Sequence, residues 1–97
     1  MAQVIYSLEA LSDLERVEEF FGEDVAMARK ALARIFDCVT LLRSSPELGR
    51  PVAGGLRELV ISRGATGYLA LYRFDARLDL VRVLRLRRQR ETGYPFA

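Results

Sequence analysis

Apolar residues keep helical spacing across Leu8, Leu11, Leu14, Val17 and Phe21, and again across Val25, Ala28, Leu32, Ile35, Val39 and Leu42. Steps of three and four place each set on one stripe of an α-helix. Glu9, Asp13, Glu15, Arg16, Glu18 and Glu19 fill the polar face of the first, and Ser7 offers its N-cap. Gly22 stops this helix and Asp24 caps the next. The second runs to Arg43, where Ser45-Pro46 ends it. Two helices joined by about three residues must turn back on each other, so 8–43 predicts an antiparallel helical hairpin.

Beyond that point the period changes. Glu47 to Gly55 is a loop punctuated by Gly49, Pro51, Gly54 and Gly55. Three β-type runs follow: LRELVIS from Leu56, YLALYRF from Tyr68 and LVRVLRLR from Leu80. Connections of about five residues predict hairpins and an antiparallel meander. Gln3 to Tyr6, QVIY, is a short strand ahead of the helices. The order β-α-α-β-β-β predicts an α+β fold, a small antiparallel sheet with the helical hairpin packed on one face. Ninety-seven residues support a single domain over 1–97.

The available chemistry is narrow. The chain has no histidine, which removes the usual acid–base group near neutral pH. One cysteine, Cys38, without any imidazole leaves no zinc ligand set and no intrachain disulfide. Cys38 lies beside the second apolar stripe and reads as a buried, inert thiol. No glycine-rich phosphate loop, nucleophile elbow or carboxylate metal motif is present, so no cofactor and no metal are expected. No apolar run approaches the roughly 20 residues of a membrane span. MAQVIYSLEA carries no secretory pattern, so a cytoplasmic location away from any membrane is expected.

Charge is unevenly spread. Residues 1–49 hold five Lys/Arg and nine Asp/Glu, a balance of −4; residues 50–97 hold ten Arg and four Asp/Glu, a balance of +6. Fourteen of the fifteen cations are arginine, whose planar fork suits phosphates and carboxylates. Arg82, Arg85, Arg87, Arg88 and Arg90 crowd one stretch. Strict alternation puts Val81, Val83, Arg85 and Arg87 on one face, and Leu80, Arg82, Leu84, Leu86 and Arg88 on the other. Arg57 and Arg73 extend the positive surface, and Tyr68, Tyr72, Tyr94 and Phe96 offer rings for stacking. Two readings fit: an anion-binding surface for nucleic acid or acidic protein, or a charged edge strand that blocks aggregation.

The segments YSLEALSDLERVEEFF, LLRSSPELGRPV, GLRELVIS, GYLALYRF and VLRLRRQRETGY, in this order and spacing, resemble the RelE/ParE superfamily of toxins from bacterial type II toxin–antitoxin modules. They span nearly all of the chain. The resemblance implies a RelE/ParE-like fold and a plasmid-stabilisation toxin held inactive by a cognate antitoxin of ribbon-helix-helix type.

The superfamily has two principal activities, and the resemblance distinguishes them. RelE-like members cut ribosome-bound messenger RNA with basic residues on the sheet and basic and tyrosine groups after the last strand. ParE-like members poison DNA gyrase. Where the first pattern carries lysines, this chain has Glu58 and Val60; where it carries arginine after Gly-Tyr, Leu69. Gln89 follows the terminal basic residue, and Arg88 stands where many relatives have histidine. Arg88, Arg90 and Tyr94 alone match; some relatives use a glutamate as base, for which Glu58 is the candidate, although beside Arg57 in Leu-Arg-Glu-Leu it reads more simply as structural. Cleavage through a 2′-hydroxyl needs a base and an acid. Arginine is a poor proton shuttle, because its pKa lies above about 12.

The expectation is therefore a ParE-like inhibitor of DNA gyrase with no catalytic residue of its own. Arg85, Arg87, Arg88, Arg90 and Tyr94 are the expected contacts to the target, which brings nucleic acid within reach. Arg57, Arg73 and Arg82 are the expected contacts to the antitoxin. The alternatives are a ribosome-dependent ribonuclease using Arg88, Arg90, Tyr94 and Glu58, and an inactive toxin-fold binding module.

Overall fold

A computed structural model describes residues 1–62 and 67–89. The chain runs β1 (Gln3–Tyr6), α1 (Leu8–Phe20), α2 (Val25–Thr40), β2 (Arg50–Val52), β3 (Leu56–Ile61), β4 (Tyr68–Asp75) and β5 (Leu80–Arg88). A 3₁₀ turn over Leu41–Arg43 prolongs α2. The caps are those the side chains offer: Ser7 Oγ accepts from the Ala10 N–H at 3.0 Å, and Asp24 Oδ1 from the Met27 N–H at 3.2 Å. Gly22, at φ 57°, turns the chain between the helices. No helix among the described residues is long and apolar enough to cross a membrane.

The five strands form one sheet in the order β1-β5-β4-β3-β2. β3, β4 and β5 make the expected antiparallel meander. β1 joins β5 in parallel, so the sheet is mixed and not antiparallel throughout. Short loops force antiparallel pairing only on the strands they link, and no short loop links β1 to β5. β2 falls where a loop was expected. Its three residues include Pro51, which reads as punctuation until pairing with β3 supplies the context.

The helical hairpin covers one sheet face. Leu14 and Val17 of α1 and Ile35 and Val39 of α2 pack against Leu59, Ile61, Ala70, Tyr72, Val81, Val83 and Leu86. The buried stripe of α1 is rotated from the expected one: Ala10, Asp13, Leu14 and Val17 point inward, while Leu8 and Leu11 are exposed. Asp13, expected on the solvated face, is 1% exposed.

β5 also departs from strict alternation. Tyr72 pairs with Val83 and Leu71 with Arg85, so Leu84 is an extra residue, a β-bulge. Past it the faces exchange. Val81, Val83, Leu86 and Arg88 share the helix-facing side, and Arg87 turns to the uncovered side opposite Leu69.

Tyr72 pins the loop after α2 to the sheet. Its hydroxyl donates to Pro46 O and accepts from the Gly49 N–H, both at 2.8 Å. Burial pushes the Tyr6 hydroxyl from 10.0 up to about 12, and burial raises Tyr72 as well. Above pH 10 the unfolded chain releases these protons while the native chain keeps them. Stability is therefore expected to be full below pH 10 and to decline from pH 10 toward 12, read from urea midpoints alongside phenolate absorbance.

Candidate functional site

β1 pairs with β5 only as far as Val83. Beyond that point α1 takes over the vacated edge with its own polar groups. The Ser7 N–H donates to Val83 O and Ser7 Oγ to Leu84 O, each at 2.9 Å. The Leu86 N–H donates to Asp13 Oδ2 at 2.8 Å. The same carboxylate receives Arg85 Nε at 2.8 Å and Arg85 Nη2 at 2.9 Å, a two-pronged pair, and Arg16 Nη1 at 3.1 Å. Arg85 is 7% exposed. Its pKa is raised above the ordinary arginine value by the hydrogen bonds it donates to Asp13, against burial, so the charge is permanent.

Arg85 was expected at the target surface, yet its guanidinium is folded inward onto Asp13. The bulge brings it to the edge and α1 holds it there. Asp13 is the residue that sequence reasoning missed. The signal was present: it stands three after Ala10 and four before Val17, on the buried stripe.

Arg87 and Arg88 end the strand together. The guanidinium carbon of Arg88 lies 3.7 Å above the Phe20 ring centre, a cation–π contact. A cleft of about 340 Å³ opens there between Arg16, Glu19 and Phe20 of α1 and Leu86, Arg87 and Arg88 of β5. Arg90 and Tyr94 lie outside the described residues.

The remaining expected residues fall into two groups. Arg57 braces the loop after α2, donating to Gly49 O at 2.9 Å and pairing with Glu47 at 3.2 Å. Arg73 and Arg82 stand directly opposite each other on β4 and β5, both exposed. Neither guanidinium hydrogen-bonds or ion-pairs among the described residues. Like charges across a strand pair are destabilising by a few tenths of a kcal/mol up to about 1. They border an apolar groove on the face the helices leave open, lined by Leu56, Leu71 and Leu84 with Glu9 and Arg85.

Glu58 is 6% exposed and receives Arg50 Nη2 at 2.7 Å. It stands opposite Leu71, on the open face, while Arg88 stands opposite Tyr68, on the helix-facing side. The two described members of a ribonuclease constellation are therefore not brought together. Among the described residues no group of His, Cys, Asp or Glu is arranged to hold a metal.

Two helices packed on one face of a five-stranded mixed sheet match the fold of RelE/ParE-like toxin structures. The chain belongs to the ParE toxin family: the family model described as the ParE toxin of the type II toxin–antitoxin system parDE matches residues 4–93. Toxin RelE2 of Caulobacter vibrioides is 36% identical over 62 residues, 63% of this chain and 70% of that protein. Among solved structures, the chromosomal ParDE system of P. aeruginosa superposes with a TM-score of 0.75 at 24% identity, covering 91% of this chain and 96% of that one. The RelBE2 toxin–antitoxin complex of Mycobacterium tuberculosis gives 0.58 at 22% identity, covering 91% and 98%.

Proposed function

We propose that this toxin inhibits DNA gyrase and is neutralised by a cognate antitoxin. The observation that carries the reading is the state of Glu58. The carboxylate that the ribonuclease pattern would use as a base is buried in an ion pair with Arg50, across the sheet from Arg88. The chain has no histidine, and the two described members of the ribonuclease pattern, Glu58 and Arg88, stand on opposite faces of the sheet. That suits a protein that grips its target and performs no chemistry.

Arg87 and Arg88, continued by Arg90 and Tyr94, are the target-facing groups in this reading. Arg85 contributes by holding the strand. The exposed Arg73 and Arg82 beside the groove at Leu56, Leu71 and Leu84 suit an amphipathic, acidic antitoxin segment. The ribbon-helix-helix character of that antitoxin and a role in plasmid stabilisation belong to the same proposal.

A supercoiling assay tests it. Purified toxin is expected to inhibit gyrase or trap cleaved DNA at micromolar concentration. The double substitution Arg87→Ala/Arg88→Ala is expected to abolish this at a stability cost of about 1 kcal/mol from the lost cation–π contact. Normal gyrase turnover together with cutting of ribosome-bound message would sink the reading in favour of a ribonuclease.

A further inference from the structure

The two edges of the sheet are managed differently. β2 closes one edge with three residues, among them Arg50 and Pro51, a charge and a residue without an N–H. These are the usual protections of an edge strand against strand addition. β1 closes the other edge with Gln3, Val4, Ile5 and Tyr6, which carry no charge, no proline and no bulge.

The hydrogen bonds of β1 identify what the open edge offers. In its parallel pairing with β5, the N–H groups of Gln3 and Ser7 donate to Asp79 O and Val83 O. Alternation assigns Ile5 to the same side and turns the N–H and C=O of Val4 and Tyr6 away from the sheet. Beside that edge runs a cleft of about 470 Å³. Phe36 and Thr40 of α2 form its far wall, with Phe36 standing edge-on to Tyr6 at 5.9 Å between ring centres. Arg43 closes the end near Gln3, exposed, with no hydrogen bond or ion pair from its guanidinium among the described residues. The cleft thus combines strand groups at Val4 and Tyr6 that are unpaired among the described residues, an aromatic wall and the cation of Arg43.

We infer that the outer edge of β1 is a strand-addition site for an extended segment of a partner chain, apolar toward Phe36 and carrying a carboxylate opposite Arg43. Main-chain bonds to Val4 and Tyr6 supply the affinity, and the aromatic wall and Arg43 supply the selection. The segment runs antiparallel to β1, the more favourable pairing, so its carboxylate sits toward its C-terminal end. The inference rests on the reading that a partner chain neutralises the toxin, and it adds where and in what conformation part of that chain binds.

The test is a titration of the ¹⁵N-labelled full chain with a short synthetic peptide that alternates valine and threonine and ends in glutamate. The amides of Val4 and Tyr6 are expected to shift and to exchange more slowly with deuterium. Arg43→Glu is expected to weaken binding about tenfold with unchanged thermal unfolding, and to favour the same peptide ending in lysine. Val4→Pro, which removes an outward N–H and none of the bonds to β5, is expected to abolish the response at Tyr6. Unchanged Val4 and Tyr6 amides overturn the inference, as does equal affinity for Arg43→Glu. A concentration-dependent dimer protected at these amides without peptide assigns the edge to a second copy and also overturns it. If an antitoxin relieves gyrase inhibition while Val4 and Tyr6 stay unprotected in the complex, the edge assignment fails alone. If the peptide responds as expected but gyrase is not inhibited, the gyrase reading fails alone.

Discussion

Asp13→Ala is expected to destabilise the protein by about 3–5 kcal/mol, the usual cost of stripping one partner from a buried ion pair. The substitution leaves Arg85, 7% exposed, with a permanent charge and neither of its two bonds to the carboxylate. It also orphans the Leu86 N–H at the edge of β5. Small domains are stable by about 5–15 kcal/mol in all, so this one side chain governs a large share. Asp13→Asn retains an acceptor for Leu86 and is expected to cost less. Asp13→Leu/Arg85→Met, which replaces the pair by apolar groups, is expected to recover most of the loss. Urea unfolding of the three variants reads the cycle. A cost below about 1 kcal/mol for Asp13→Ala would contradict the buried, mutually dependent pair described above.

The second large effect is expected at Gly49. A methyl group there would stand 2.7 Å from Tyr72 Cε1, 2.8 Å from the Tyr72 hydroxyl and 2.9 Å from the Glu58 carbonyl oxygen. The ring is fully buried and the carbonyl is backbone, so neither yields cheaply. Displacing the ring also breaks the bond from the Gly49 N–H that ties the loop to the sheet. Gly49→Ala is therefore expected to cost about 3 kcal/mol, the upper end of ordinary overpacking. In a domain of this size that lowers Tm by roughly 12–24 °C. Tyr72→Phe removes one of the three close contacts, so Gly49→Ala in that background is expected to cost less. Strict additivity of the two changes would argue against the contact.

The helical hairpin was legible because its rules are local. Ser7, Gly22 and Asp24 act within one turn of where they stand, and apolar spacing announces a stripe without reference to anything else. The meander was legible for the same reason, since short loops dictate antiparallel neighbours. What escaped depends on pairing between distant residues. β2 is a strand only because β3 lies beside it, and β1 is parallel to β5 across nearly the whole chain. Leu84 has no bulge signature of its own, yet it decides which arginines share a side. Arg85 therefore could not be separated from Arg87 and Arg88 by alternation alone. Asp13 looked like one acid among several on a polar face. Its burial was legible only through the true orientation of α1, which Ala10 shares with Leu14 and Val17.

The pairing of β1 with β5 sets the timetable of folding on the ribosome. Gln3 waits for Leu80, and α1 waits for Arg85 and Leu86, before the sheet and its helices can lock together. Contacts so far apart in sequence make folding slow relative to helix formation. At about 5–20 residues per second of synthesis, Gln3 and the residues of α1 are made seconds before Leu80, Arg85 and Leu86. During that interval the helical hairpin can form but has nothing to close on, and the cationic strand has not been made. The fold closes only with the strand that carries Arg87 and Arg88.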